Sequence, residues 1–332
     1  MSETDRASGS EPDGWEPCSD SSLRRGDSLE GSGSRGMRWL MLELAGPWGH
    51  SALLESPSLL SADLGRQIAR RAQAADVRVA AIRRPGRRRH PDERRWRWAL
   101  ADSRPGREAV RWGEADGPAG YLEIPLDDTA TNPAAPTAGA DPTDPAAPGP
   151  TAASTPTGPP EPLVAVCAHG RHDQCCAVRG RRATARIAER YPDATWECSH
   201  LGGDRFAATM IVLPHGLYYG RVDLAEDPAG LVDRYLEGRV DPRHLRGRSS
   251  LPAVVQVAQH HARELVGDDR IDALAPLDVV ESDGRAEVIL DGPRGQIEVR
   301  LRETWSEPIF TMCQARRPGP VREWELLGIR EG

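Results

Sequence analysis

The stretch Leu163-Val164-Ala165-Val166-Cys167-Ala168-His169-Gly170-Arg171-His172-Asp173-Gln174-Cys175-Cys176 decides the reading of this chain. Its first five residues form an apolar run of the length expected for a buried strand. From residue 176 to 191 the spacing turns helical, with a basic outer face at Arg179, Arg182, Arg186 and Arg190. One thiol therefore stands at a strand end and two at a helix start. A helix N-terminus favours thiolate, the form that ligates metal or attacks disulfides. Working outward, a second strand is expected over residues 195–200, where Cys198 and His200 lie two residues apart and would share a face. Gly202-Gly203 then permits a tight backbone turn beside a bulky inorganic group. Together these residues describe a soft-ligand pocket at the ends of two strands. Mixed thiolate and imidazole ligation suits zinc or an iron–sulfur cluster.

The rest of the chain divides by composition. Residues 1–36 are rich in Ser, Gly, Asp and Glu and are expected to be a disordered tail. Over 37–128 the pattern predicts a small βαβ-type domain: strands at 38–44 and 77–82, a helix capped by Ser61 between them, and short strands at 96–101, 108–112 and 121–124. Residues 129–162 are almost entirely Pro, Ala, Thr, Gly and Asp, a linker composition. Residues 163–240 carry the pocket. Beyond it, 241–332 reads as a helix from Leu251-Pro252 followed by strands at 277–280, 286–290, 296–301 and 323–327, with Asp283-Gly284 and Asp291-Gly292 as hairpin signals. The expected class is α/β, shading into α+β.

Composition excludes several functions. Of 332 residues, 50 are acidic and 43 basic, a net charge of −7, which argues against a nucleic-acid-coating protein and makes nucleic acid an unfavoured partner. Every base is Arg, a coding bias rather than chemistry. No apolar run reaches the roughly 18–20 residues of a spanning helix, and the start Met1-Ser2-Glu3-Thr4-Asp5 lacks a signal-peptide pattern, so the expectation is a cytoplasmic protein with no membrane partner. Six Cys are too sparse for a disulfide framework, and three of them fall within residues 167–176. There is no Cys-x-x-Cys, no Gly-x-Ser-x-Gly elbow and no Walker-type loop.

The motifs Cys-Ala-His-Gly-x-x-Asp-x-Cys-Cys-Ala (167–177), Trp-Glu-Cys-Ser-His-Leu-Gly-Gly-Asp-Arg-Phe-Ala (196–207) and Leu-Pro-His-Gly-Leu-Tyr-Tyr-Gly-Arg (213–221), in this order, resemble the sucrase/ferredoxin-like family. The resemblance extends to residues 39–43, 46–49 and 245–249. It implies a thioredoxin-like ferredoxin domain holding a [2Fe-2S] cluster, with Cys167 and Cys176 as a C-x8-C ligand pair and His200 as a third ligand. The family's His-x-Gly-Gly-His motif reads His200-Leu201-Gly202-Gly203-Asp204 here, so the second His is replaced. For the fourth position Cys198, soft and facing as His200 does, stands ahead of Asp204, with Cys175 third. The implied role is electron transfer to a redox partner protein, with the outer domains shaping docking or access.

Two other readings of the same residues stay open: a zinc-stabilised interaction module, and a redox enzyme in which His200 shuttles a proton beside an open metal position. His169 and His172 are expected to hydrogen-bond near the cluster rather than ligate, and Arg205 to face its negative charge. Cys18 and Cys313 stand alone in the sequence and read as free or packed thiols. The Arg-rich stretch from Arg83 to Trp98 fits a solvated hairpin, an acidic-partner dock or a base-stacking surface.

Overall fold

The computed structural model describes residues 16–86, 95–127 and 161–332. Expectations falling on residues 1–15, 87–94 and 128–160, which include nearly all of the linker and the middle of the Arg-rich stretch, lie outside the described residues.

The chain enters through a helix where a disordered tail was expected: α1 (Cys18–Arg25) buries Cys18, Ser19 and Ser22. Asp20 in its first turn, Arg24 and Arg25 in its last and left-handed Gly26 after it are all favourable to a short helix. Strand β1 (Arg38–Glu43) follows, then α2 (Ala62–Ala74), opened by Ser61, whose side chain accepts the Leu64 N–H. The α2 face carrying Ile68 and Ala72 packs on the sheet, and β2 (Arg78–Arg83) returns parallel to β1. Strands β3 (Trp96–Asp102) and β4 (Ala109–Ala115) add antiparallel on the far side of β1. The strand expected over 121–124 is instead part of a 3₁₀ turn, Pro118–Leu122. That turn buries Tyr121, whose hydroxyl donates to the Glu43 and Arg97 carbonyls, so a side-chain anchor replaces ladder pairing.

The second half begins with β5 (Leu163–Cys167), a π-turn over Cys176–Gly180 and α3 (Arg181–Arg190), then β6 (Thr195–Cys198) parallel to β5. Strands β7 (Met210–Leu213) and β8 (Leu217–Tyr219) continue antiparallel, followed by α4 (Gly230–Leu236) and β9 (Leu245–Arg248). All nine strands form one mixed sheet in the order β4-β3-β1-β2-β6-β5-β7-β8-β9.

The two α/β units expected as separate domains are thus halves of a single sheet, joined where β2 pairs antiparallel with β6 through Ile82↔Cys198 and Arg83↔Glu197. An Arg83–Glu197 ion pair of 2.7 Å crosses this joint. Beside it Trp196 is buried, with Trp112 stacked at 5.5 Å and the Arg84 guanidinium over its ring at 3.7 Å. Truncating an aromatic residue so enclosed costs about 3–5 kcal/mol. The Arg-rich stretch is therefore drawn inward at both described ends. Arg84 donates to the Pro192, Asp193 and Thr195 carbonyls, and Trp98 is buried, which leaves neither free for base stacking.

The region 241–332 is likewise split. Its first strand, β9, belongs to the large sheet, whereas α5 (Ala253–Val266) covers a separate antiparallel sheet of β10 (Pro276–Ser282), β11 (Arg285–Asp291), β12 (Gln296–Trp305) and β13 (Arg322–Glu331). Val288, Leu290, Ile297, Val299 and Leu301 alternate inward to meet α5. Among the described residues no helix is long and apolar enough to cross a membrane.

Candidate metal centre

Strand β5 ends with Cys167 held in the ladder: its N–H donates to Thr209 O at 2.9 Å, and the next N–H, of Ala168, donates to Cys198 O at 3.1 Å. The π-turn then brings Cys176 back against this strand end. Gly180 makes the return possible, because a Cβ there would stand 1.9 Å from the Cys167 carbonyl oxygen. On the neighbouring strand, β6 stops at Cys198, and the loop after it turns through Gly202 and Gly203, both at positive φ, into a short 3₁₀ turn at Asp204–Phe206. This puts His200 and Asp204 beside the two thiols.

The resulting group is compact. Cys176 Sγ lies 3.2 Å from Asp204 Oδ1, and His200 Nδ1 lies 3.0 Å from the same oxygen. That imidazole contact has ion-pair distance but not the alignment of a hydrogen bond, so buried His200 Nδ1 is left without a hydrogen-bond partner. Thiol–thiol hydrogen bonding to Cys176, with support from His200, outweighs burial and holds the Cys167 thiol down at about 6. The Cys176 thiol is pushed well up by Cys167 and by burial. Burial alone would lower His200, but the Asp204 and Cys167 partners raise it to about 9. Asp204 is lowered, since His200 and Cys176 overcome its desolvation. The four side chains thus interact electrostatically, and their deprotonation would convert them into a set of ligands.

Other histidines line the open side. His172 stacks near His200 with ring centroids 3.7 Å apart, and exposed His50 stacks on His172 at 5.1 Å. His169 serves as a brace: its Nε2 lies 2.7 Å from Gly49 O as donor, which leaves Nδ1 to accept the His200 N–H at 3.3 Å. Burial holds its pKa down at about 4. The inner residues are enclosed, whereas the His200 side chain keeps 32% of its surface exposed.

The residues expected at the site divide accordingly. Cys167, Cys176, His200 and Asp204 come together. Cys198 lies fully buried in the apolar core with Ile82 and Ile211, in register with Cys167 on the neighbouring strand, and desolvation, with Cys167 nearby, pushes its thiol well up. Cys175 turns the other way, 3.7 Å from Cys18 Sγ and 3.3 Å from Cys313 Sγ. Cys18 and Cys313, expected to stand alone, are therefore partners. Arg205 is engaged with Asp27, its Nε 3.3 Å from Asp27 Oδ2.

The profile of the sucrase/ferredoxin-like family matches residues 29–247, about two thirds of the chain and the whole of this donor group. The chain belongs to the sucrase/ferredoxin-like family. No curated protein and no solved structure matches it. As a sucrase/ferredoxin-like protein it has a matched segment that begins inside the supposed tail and ends within β9, so the family unit includes nearly all of the nine-stranded sheet and none of the C-terminal four-stranded one.

Proposed function

We propose that this chain binds a [2Fe-2S] cluster through Cys167, Cys176, His200 and Asp204 and works as a one-electron carrier for a protein partner. The observation that carries the reading is the convergence of two enclosed thiols with a carboxylate and a buried imidazole nitrogen 3.0 Å from that carboxylate. The donors suit such a group, because two soft thiolates and an imidazole are iron–sulfur ligands and the carboxylate supplies a fourth, harder donor. Asp204 is preferred to Cys198 because it touches both Cys176 and His200. A cluster held in this way supplies a one-electron couple whose potential imidazole ligation raises.

The protein's own residues would set the conditions for that couple. Cys167 and Cys176 close the inner side and exclude water. His169 fixes the backbone at His200. The open side, formed by His200, His172 and His50, is the face offered to a redox partner. The order β6-β5-β7-β8, a parallel pair extended by two antiparallel strands with α3 as crossover, supports the thioredoxin-like description of this half. An alternative in which Cys167 is a catalytic nucleophile is disfavoured by its 1% exposure.

The test is anaerobic purification of the full chain followed by iron and acid-labile sulfide analysis, with visible and electron paramagnetic resonance spectra before and after reduction. About two iron and two sulfide per chain with a reducible signal support the proposal. Absence of iron and sulfide after reconstitution overturns it.

A further inference from the structure

Three thiols far apart in the sequence meet on the other side of the same loop. Cys18 comes from α1, Cys175 from the residue before the π-turn, and Cys313 from the connection between β12 and β13. Their sulfurs form a triangle with sides of 3.7 Å (Cys18–Cys175), 3.3 Å (Cys175–Cys313) and 3.6 Å (Cys313–Cys18). All three thiols are free. A zinc–sulfur bond of about 2.3 Å in a tetrahedral site gives sulfur–sulfur edges of about 3.8 Å, so this triangle is a slightly contracted face of such a tetrahedron. A disulfide would instead require about 2.05 Å.

The fourth corner is occupied by Asp173. Its carboxylate is fully buried, and both oxygens lie 3.9 Å from Cys18 Sγ. Oδ1 accepts the Cys175 N–H at 2.8 Å and Oδ2 the Cys313 N–H at 2.6 Å, which aims the carboxylate at the sulfurs. All four donor atoms fall within 4.8 Å of one another. Among the described residues no ion pair from an arginine reaches this carboxylate. A buried acid whose partners are two amides and a weakly donating thiol is costly, and a cation among the four donors removes that cost. Arg179, itself paired with Asp20 and Asp223, donates to Ser19 Oγ at 2.9 Å, and Ser19 in turn lies 3.2 Å from Cys175 Sγ.

We propose that Cys18, Cys175, Cys313 and Asp173 form a second metal site, taking one soft divalent cation of the zinc class. Binding releases the thiol protons to solvent and forms three metal–sulfur bonds and one metal–oxygen bond, with no change of oxidation state. The short sulfur–sulfur distances favour a single ion, since a polynuclear cluster with one thiolate per iron needs wider spacing. The site ties α1 and the β12–β13 connection to the loop that presents Cys176, so both distant ends of the chain are fastened beside the proposed redox centre.

The experiment is metal analysis of the anaerobically purified full chain, in parallel with Cys18→Ser, Cys313→Ser and Cys176→Ser. About one zinc per chain is expected, lost by about tenfold or more in the first two variants and retained in the third. The iron content reports on the other site, so the two proposals fail separately. Should Cys18→Ser and Cys313→Ser not fold, cobalt titration of Cys176→Ser, which lacks one thiolate of the first group, decides: an intense near-ultraviolet band of three thiolates per cobalt is expected, and its absence overturns the proposal. Equal zinc in the unmodified chain and the two variants, or a native disulfide between any two of these cysteines, also overturns it.

Discussion

Cys175 and Cys176 are neighbours in the chain yet serve two different donor groups. Consecutive residues on a helical turn point roughly 100° apart, so a single turn sends one thiol toward Cys167, His200 and Asp204 and the other toward Cys18, Cys313 and Asp173. The groups share a plan of thiols around one carboxylate but differ in their surroundings. The first opens through stacked imidazoles to exposed His50, a polarisable edge suited to passing electrons. The second is built from thiols and a carboxylate, is backed by Ser19 and Arg179, and joins three distant segments, which suits fastening. On the two proposals, chemistry is separated from anchoring by one residue of register.

The sharpest way to break this comparison is to exchange the paired thiols one at a time. Cys176→Ser should abolish the visible absorbance and most of the iron while leaving zinc in place, and Cys175→Ser should do the reverse. Metal content of the two purified variants measures both effects. If each variant loses both metals, the groups are one site and the division fails.

A smaller effect is expected from removing only the second metal. A site occupied at about a thousandfold above its Kd stabilises the native state by about 4 kcal/mol, so stripping it with a chelator should lower the melting temperature by roughly 5–10 °C. The loss should concentrate where the metal fastens the chain. Hydrogen exchange should rise in α1 and around Cys313 before it rises in β5 or β6, and uniform loosening would show that the site does not act as a clamp.

At the first group the contest is between Asp204 and Cys198. Asp204→Asn should weaken iron retention by about 10–100-fold, whereas Cys198→Ala should leave iron unchanged and cost about 1–2 kcal/mol of stability from a small cavity. Iron loss in Cys198→Ala would restore it as a ligand. Strand alternation alone is a weak guide to Cys198 here. Alternation would place it on the same side as His200 only if the strand continued, but β6 ends at Cys198, and the following loop sets the direction of His200. The residues of the first group that spacing already placed together, Cys167, Cys176 and His200, lie in one strand–loop–helix–strand unit where spacing constrains position. The second group had no such spacing, because Cys18 and Cys313 are 295 residues apart and meet only through tertiary packing. Low apolar content also concealed α1, although Pro17, Asp20, Arg24, Arg25 and Gly26 together were a usable helix signal. The strands of the four-stranded sheet were readable from alternation and several of the large sheet from their apolar character, but β9 and the β2–β6 pairing across the linker were not, the latter resting on only two residue pairs.

The smallest effect concerns acid stability, where both donor groups would release metal and obscure any other titration. His215 offers a reference outside them. It is buried, its Nδ1 lies 2.8 Å from the Tyr235 hydroxyl, and burial, with Arg248 nearby, holds its pKa below the ordinary value, while Glu108 and Asp272 act in the opposite direction. A histidine depressed on folding binds fewer protons in the native than in the unfolded state, so stability rises with pH across that interval. The contribution of His215 should be complete above its unfolded pKa of about 6.5 and decline as the pH falls through the lower native value. His215→Gln, which keeps a polar side chain against Tyr235, should flatten this part of the profile when unfolding midpoints are compared from about pH 7 to pH 5. Metal-loaded and metal-stripped chains should show the same flattening. If the slope disappears with the metal instead, the acid sensitivity belongs to the donor groups, and His215 is not an independent reference for comparing them.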